Sequence, residues 1–216
     1  MKTEYTQRLP HIQPIGAVFF VTFSLFGSVP RRKLQELKEQ YIIDITKANK
    51  IPDLHQRNLE VFYIRKKYLL DYDLMLHAIV NGPFYLKNDQ LKNLIKDEIF
   101  RYDGHLYHVL CFCIMSNHVH ILIDTSIQLS GITDQEELDK KYVLLDQIMK
   151  KIKGPTAMYC NKVLNRTGQF WERESFDMYI RNNTMLNNVI SYILQNPVKA
   201  GMVKEWNEYP YNYVRS

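Results

Sequence analysis

The sequence predicts an α+β fold, and three observations support that prediction. Three apolar runs have strand character, at Ala17–Phe26, Leu106–Met115 and Val119–Ile123. Longer stretches carry apolar residues spaced by three and four, which is typical of helices. These helices and strands do not alternate regularly, and this favours α+β over a doubly wound parallel sheet.

The composition is that of a globular chain with its own core. At 216 residues, and with about 150 residues per domain, the chain is long enough for one elaborated domain. Its 28 basic and 23 acidic residues give a net charge of +5, which permits an anionic partner without requiring one. Three cysteines are too few for a disulfide framework and indicate a reducing cytoplasm. The early apolar run 16–26 is shorter than the roughly 20 residues that span a bilayer, so we expect no membrane partner.

The first half of the chain predicts one strand followed by three helices. Glycine, proline and capping residues separate these elements, because they end or start regular structure. These residues are Gly27, Pro30, Pro52, Asn81-Gly-Pro83 and Asn88 or Asp89. The helices are expected at Arg31 to about Lys50, Leu54 to Ala78 and Asn88 to Ile99.

The second half predicts a β-hairpin followed by helices. Ser116-Asn117 between the two later strands indicates a tight turn, and the polar stretch from Ser126 to Glu136 indicates a loop. We interpret Gly154-Pro155 as a helix break, because a proline in a helix interior removes a hydrogen bond and clashes with the preceding turn. The helices are expected at Lys140–Lys153, Thr156–Leu164 and Thr184 to Pro197.

The sharpest local feature is His118-Val-His120 at the start of a predicted strand. Residues two apart on a strand point to the same side, so the two imidazoles project together and could chelate one metal ion. The alternative is a pair of half-exposed strand histidines. Cys111 and Cys113 on the preceding strand are interpreted as core residues. A zinc site with the two histidines is disfavoured, because such closely spaced ligands rarely surround one tetrahedral ion.

The last predicted helix offers a further ligand and a reacting group. Tyr192, Gln195 and Asn196 lie at i, i+3 and i+4 and therefore share a helix face. An amide oxygen is an acceptable ligand for Mg²⁺ or Mn²⁺. A tyrosine beside such a metal can attack a phosphodiester and form a covalent link. The alternative for Tyr192 is packing, since the chain contains 15 tyrosines.

Four segments together carry a family resemblance, and one of them is Leu9-Pro-His-Ile-Gln-Pro14 with the strand after it. The segment Ser116-Asn-His-Val-His-Ile-Leu-Ile123 resembles the His-hydrophobic-His motif of the IS200-like tyrosine transposases. The segment Tyr192-Ile-Leu-Gln-Asn-Pro-Val-Lys-Ala-Gly-Met-Val203 is similar to the signature of their REP-associated branch. Phe170-Trp-Glu-Arg-Glu-Ser-Phe-Asp177, with Arg181, is a further match. The resemblance covers nearly the whole chain, and the two helices of residues 31–80 are its least diagnostic part.

The resemblance implies a fold and a domain organisation. The fold would be a ferredoxin-like antiparallel sheet with helices on one face. The His pair would lie on a central strand, and the tyrosine on a helix across from it. Residues 1–216 would form a single IS200-like transposase domain, with a helical insertion at about 31–80 after the first strand.

The resemblance also implies a chemistry. His118 and His120 would bind Mg²⁺ or Mn²⁺, with Asn196 as third ligand and Gln195 as its alternative. Tyr192 would attack a DNA phosphate and keep the 5′-phosphate in a covalent link, which a free 3′-hydroxyl could reverse to join strands. The enzyme would be a metal-dependent single-strand DNA endonuclease and strand transferase of the HUH type. It would act at palindromic REP-like hairpins in DNA transposition.

The chain departs from the pattern of this branch at one position. The Asp that corresponds to Asp177 is commonly followed by His in the branch, whereas Met178 follows it here. The departure predicts weakened or differently selective activity if that His contributes to catalysis or DNA contact. Tyr179 lies close by and competes with Tyr192 as a nucleophile, although it lacks the Asn-Pro context.

Basic residues and aromatic rings are the candidates for DNA contact. Lysine and arginine side chains pair with phosphates, and aromatic side chains stack on unpaired bases. Solvated helix faces and ordinary core packing are the respective alternatives. The candidates are Arg31, Arg32, Lys66, Lys67, Lys151, Lys153, Trp171, Arg173 and Arg181.

Two other functions compete with the transposase. One is a DNA-binding regulator that recognises hairpins with little or no cleavage, for which Met178 is the main support. The other is a His-pair enzyme that nicks DNA for replication or plasmid transfer. We find neither a helicase region nor a second tyrosine at close helical spacing in the sequence, which argues against this enzyme. We expect single-stranded DNA hairpins as partners, no small-molecule cofactor, a monomer or homodimer, and a cytoplasmic, nucleoid-associated location.

Overall fold

The computed structural model describes residues 4–6 and 10–215. Seven strands are present in this part of the chain: β1 (Glu4–Thr6), β2 (Pro10–Ile12), β3 (Val18–Ser24), β4 (His108–Ile114), β5 (His118–Asp124), β6 (Phe176–Tyr179) and β7 (Asn212–Val214). Its α-helices are α1 (Arg31–Ala48), α2 (Leu54–His77), α3 (Asp89–Phe100), α4 (Gln135–Lys141), α5 (Leu145–Val163), α6 (Asn183–Leu194) and α7 (Asn196–Lys199).

A five-stranded antiparallel sheet with the strand order β6-β3-β5-β4-β7 forms the centre of the fold. Its first four strands have the spatial order of a ferredoxin-like sheet, because α3 and α5 each lie on a connection that crosses over a strand. The edge strand β7 extends the sheet beside β4, and β1 and β2 form a separate two-stranded sheet. The predicted α+β class and antiparallel sheet are therefore confirmed.

The strand register assigns each residue to one of two faces. His118 lies opposite Ser24, and His120 lies opposite Thr22 and Cys113, so these residues share one face. We call it the histidine face. Val119, Ile121 and Ile123 alternate with them and point to the other face, as the period of two requires.

Helices cover both faces of the sheet. On the apolar face the Phe100 ring of α3 packs edge-on against Phe112, with ring centroids 5.6 Å apart. Trp171 packs there against Phe23 and donates to Thr156 of α5. The prediction of helices on one face therefore holds for the crossover helices α3 and α5. Helix α6 lies over the histidine face, as the resemblance implied for the helix that carries the tyrosine. Helix α2 lies there as well, where Tyr72 pairs with the buried Ser24.

Helices α1 and α2 occupy the segment where the sequence predicts an inserted helical pair. Tyr41 and Tyr68 pack between the two helices with ring centroids 4.8 Å apart. Lys38 reaches the half-buried Glu174, with Nζ and Oε2 2.6 Å apart. The hydroxyl groups of Tyr72 and Ser24 share a buried hydrogen bond of 2.6 Å. These contacts fix α2 over the sheet.

The predicted helix break at Gly154-Pro155 is wrong, because α5 runs without interruption through Pro155. Ile148, Ile152 and Cys160, spaced at multiples of four, are fully buried against the core, and this packing outweighs the hydrogen bond that proline cannot donate. Thr156 adds a side-chain hydrogen bond to the carbonyl oxygen of Ile152. Strands β6 and β7 and helix α4 were not predicted, because each is shorter than eight residues and has little periodic signal. No helix in the described residues is long and apolar enough to cross a membrane.

Candidate active site

The two histidines of the motif stand at the start of β5 and are fully buried. The turn at Ser116-Asn117 is closed by the amide of Met115, which donates to the carbonyl oxygen of His118 at 2.9 Å. The two Nε2 atoms of His118 and His120 lie 3.1 Å apart. The predicted projection of both imidazoles to one side is therefore present in the fold.

Hydrogen bonds at the Nδ1 atoms orient the two rings. The side-chain nitrogen of Asn117, Nδ2, donates to the carbonyl oxygen of Leu76 at 3.0 Å. The side-chain oxygen, Oδ1, therefore faces His118 Nδ1, at 2.7 Å. His118 Nδ1 then carries the hydrogen, and Nε2 presents its lone pair. His120 Nδ1 lies 2.8 Å from Thr22 Oγ1. Such outer partners fix the tautomer of metal-binding histidines, and both Nε2 atoms here point to the same place.

A carboxylate that the sequence analysis did not single out completes the cluster. Asp73 of α2 is buried, and its Oδ1 lies 3.2 Å from His120 Nε2 and 3.6 Å from His118 Nε2. Metal–ligand bonds of about 2.1 Å place neighbouring donor atoms about 3.0 to 3.4 Å apart, close to these separations. Within the described part of the chain, no group donates a hydrogen bond of good geometry to Asp73 Oδ1, although this oxygen is fully buried. The three side chains therefore fit a divalent metal ion.

The charges of the cluster also suit a cation. Burial would raise the pKa of Asp73, but the adjacent His120, His77 and His118 outweigh it and lower that pKa well below the usual range. Burial, together with His120, lowers the pKa of His118. Carboxylates bind metal ions as anions, and histidines bind them as neutral imidazoles with a free lone pair.

Tyr192 lies directly beside this cluster. Its hydroxyl donates a short hydrogen bond to Asp73 Oδ2, whereas Oδ1 is the oxygen that contacts the two histidines. Its ring packs edge-on against His120, with ring centroids 5.7 Å apart, and against Phe20 at 6.0 Å. Burial and the negative charge of Asp73 raise the pKa of Tyr192. A single carboxylate thus joins the tyrosine to the predicted metal position.

The two amide residues predicted as metal ligands lie next to the cluster. Asn196 is buried, and its Oδ1 lies 2.9 Å from Nε2 of His77 while its Nδ2 donates to the carbonyl oxygen of Tyr192. Gln195 is half-buried, and its backbone amide donates to Ser191. His77 Nε2 also lies 3.3 Å from Asp73 Oδ2, and its ring packs edge-on against His118. Asn196 is therefore connected to Asp73 through His77.

The sequence analysis missed Asp73 and His77. They lie four residues apart on α2 and so share a helix face. That Asp-x-x-x-His spacing within an otherwise apolar stretch was an available signal, but many exposed helices carry it by chance. Its meaning depends on the contact with β5, 45 residues later in the chain.

Neither the alternative nucleophile Tyr179 nor the two cysteines join the cluster, although Cys113 lies opposite His120 on the histidine face. Tyr179 pairs with Phe19 in the register, so it belongs to the apolar face, opposite the histidines. Met178 is buried on the histidine face, where it lies opposite Phe20. Cys111 and Cys113 are buried free thiols, and burial raises the pKa of Cys111 to about 12. Among the described residues the metal-ligand cluster contains neither cysteine.

The predicted DNA-contact residues fall into three groups. Trp171 is only 4% exposed and packs in the core, so its indole has no free face for a base. Lys153 is half-buried and donates to the carbonyl oxygens of Glu172 and Arg173. The remaining candidates are exposed: Arg31, Arg32, Lys66, Lys67, Lys151, Arg173 and Arg181. Arg31 and Arg173 line one groove of about 620 Å³ beside α1.

Comparisons with known proteins extend these observations. No model of a known protein family matches the chain. A curated protein of Haemophilus influenzae named a REP-associated tyrosine transposase is 26% identical over 106 residues. The match covers 49% of this chain, which spans only 58% of the length of that relative.

A solved structure of a REP-associated tyrosine transposase bound to a REP hairpin aligns with 92% of this chain and 77% of that chain. Its TM-score is 0.47, and the two sequences are 16% identical. The resemblance that the histidine and tyrosine motifs predicted is confirmed: this chain is similar to the REP-associated tyrosine transposases.

Proposed function

We propose that the chain is a metal-dependent single-strand DNA endonuclease and strand transferase that uses Tyr192 as its nucleophile. The observation that carries the proposal is the position of Asp73. One of its oxygens accepts the Tyr192 hydroxyl, and the other lies 3.2 Å from His120 Nε2. A nucleophile and a metal position are thereby separated by one carboxylate. The motif resemblance and the name of the curated relative point to the same chemistry.

We assign the metal ligands to Asp73, His118 and His120. When bound, Mg²⁺ or Mn²⁺ would supply positive charge beside the scissile phosphate and the Tyr192 hydroxyl. Asn196, expected from the sequence as the third ligand, instead positions His77 against Asp73. Gln195 stays the alternative amide ligand that the resemblance implies.

The tyrosine acts as the attacking group. Its oxygen forms a bond to phosphorus as the bond to the 3′-oxygen breaks. Asp73 Oδ2 receives the phenolic proton, and the departing 3′-oxygen takes a proton from water. Before DNA binds, that proton stays on Tyr192, because burial and Asp73 raise the pKa of the tyrosine. The 5′-phosphotyrosine link retains the energy of the phosphodiester, so a free 3′-hydroxyl can attack it and join strands.

The substrate class follows from the resemblance. A palindromic hairpin with an adjacent single-stranded segment would need a basic surface for its phosphates, and the exposed arginines and lysines provide candidates. The groove beside α1, which Arg31 and Arg173 line, is large enough for an unpaired nucleotide. We propose DNA transposition, with a monomer or a homodimer as the active unit, as the biological context.

The test uses single-stranded hairpins from the DNA that flanks the gene, labelled at the 5′ or the 3′ end. Each is incubated with Mg²⁺ or Mn²⁺ and wild-type protein, Tyr192→Phe or Tyr179→Phe, and is then run on a denaturing gel. We expect the 3′-labelled fragment to remain attached to wild-type protein and to Tyr179→Phe. Tyr192→Phe should give no attached fragment, and cleavage that survives in this variant would contradict the proposal.

A hairpin-binding regulator is the second candidate function. Met178 lies on the histidine face beside Phe20, where the related proteins commonly carry a histidine. A regulator would bind the same hairpins tightly on a native gel, and neither wild type nor Tyr192→Phe would cleave them on the denaturing gel.

A further inference from the structure

The route by which a phosphate reaches the cluster is limited by burial. His118 and His120 are fully buried, and Asp73 is nearly so. At the edge of the cluster, His77 keeps 24% of its side chain exposed and Tyr192 is half-buried. A DNA phosphate must therefore approach from the side of these two residues.

Lys199 stands at that edge. Its Nζ lies 4.8 Å from the centre of the Tyr192 ring. The short helix α7 places it there, because Pro197 starts a new turn and the Lys199 amide donates to the carbonyl oxygen of Gln195. Lys199 therefore lies beside Tyr192, although it follows the tyrosine by seven residues in the chain.

The ammonium group of Lys199 has no anionic partner among the described residues. Other exposed lysines do have one, such as Lys140 with Glu136 and Lys150 with Asp146. An exposed cation that packs on an aromatic face is already desolvated on one side and can still bind an anion on the other. The hydroxyl group of that tyrosine donates to Asp73.

We infer that Lys199 binds the DNA phosphate that Tyr192 attacks. The inference rests on the proposed function and adds a catalytic residue to it. Asp73 would repel an incoming phosphate, and a lysine on the open side of the tyrosine offsets that repulsion. As the tyrosine–phosphorus bond forms and the 3′-oxygen leaves with a proton from water, negative charge spreads over the non-bridging oxygens. Lys199 stabilises that charge and itself forms no covalent bond.

The test compares Lys199→Met, Lys199→Arg and a matched control, Lys204→Met, an exposed lysine five residues further on. Single-turnover nicking is measured at saturating hairpin with Mn²⁺, and hairpin affinity is measured separately. We expect Lys199→Met to slow nicking by about 10²- to 10³-fold, as the loss of one charge-stabilising donor does in other enzymes. Its hairpin affinity should change far less. Lys199→Arg should recover part of the rate, and Lys204→Met should nick like wild type.

A second substrate separates direct contact from a structural effect. A methylphosphonate at the scissile position removes the phosphate charge, so Lys199→Met should cause little additional slowing on it. Equal slowing on both substrates would overturn the inference, as would wild-type nicking by Lys199→Met. If wild-type protein nicks no hairpin, the proposed function fails and this assignment fails with it. Circular dichroism and thermal melting of each variant exclude loss of folding.

Discussion

The two faces of the central sheet are equally buried but differ in chemistry. On the apolar face, β5 contributes Val119, Ile121 and Ile123, and α3 packs on the neighbouring β4 through Phe100 and Phe112. On the other face, Thr22, Ser24, His118 and His120 are all fully buried as well. Buried polar groups cost free energy unless they are paired, and α2 supplies several of the partners. One face therefore stabilises the fold, and the other positions reactive groups.

The largest effect on folding should come from the apolar face. Ile152→Ala removes a fully buried side chain of α5, and truncations of this kind cost about 2 to 5 kcal/mol of unfolding free energy. Urea unfolding measures the loss. Mn²⁺ affinity of the folded variant, measured by titration calorimetry, should equal that of wild type. A parallel loss of metal affinity would show that the two faces are not independent.

A smaller effect depends on pH and lies at Lys153, on the α5 side. Burial lowers the pKa of Lys153 to about 8, against 10.5 in the unfolded chain. Between these two values the unfolded state binds more protons, so stability rises with pH. Relative to Lys153→Met, wild type should gain up to about 3 kcal/mol between pH 8 and 10.5, at about 1.4 kcal/mol per pH unit.

The matched control for that titration is Lys150→Met. Lys150 lies on the same helix but is exposed, with its Nζ 3.0 Å from Asp146. This variant shows how much of the pH dependence is specific to the buried Lys153. A wild-type advantage over Lys153→Met that falls with pH would contradict the burial argument.

On the histidine face the main effect should be on metal binding. Asp73→Asn keeps the shape of the side chain but removes the charge beside both imidazoles. We expect Mn²⁺ affinity to fall by at least about 10- to 100-fold, since loss of an outer partner of a metal ligand already has that effect. Asp71→Asn, on another side of the same helix, should bind Mn²⁺ like wild type. A larger loss in Asn196→Ala than in Asp73→Asn would return the third ligand to Asn196.

The smallest effect should come from the contact between α2 and β3. Tyr72→Phe removes the buried hydrogen bond to Ser24, which is worth about 1 kcal/mol of unfolding free energy. The double variant with Ser24→Ala should be no less stable than Tyr72→Phe alone, because both partners are then absent. Thermal unfolding of the four proteins measures this cycle. Additive losses would show that the two hydroxyl groups stabilise the fold separately.

Local sequence patterns predicted one half of the candidate site. The strand alternation of His118 and His120 and the helix of Tyr192 are short-range features, and their prediction needs no tertiary contact. Asp73 could not be predicted in the same way, because its role arises from packing against a strand 45 residues later. Pro155 and Trp171 show the same dependence. Core packing keeps α5 continuous through Pro155. It also buries the Trp171 indole, for which the sequence allowed either base stacking or a place in the core.

The amide of Asn117 has a consequence for how the protein becomes active. It joins the last turn of α2, at the Leu76 carbonyl, to Nδ1 of His118. A partly folded molecule in which α2 has not docked lacks this bond and also lacks the Asp73 carboxylate. Under the proposed function, such a molecule can neither retain the metal nor cut DNA. Under that function, docking of α2 would therefore decide whether the site can bind its metal at all.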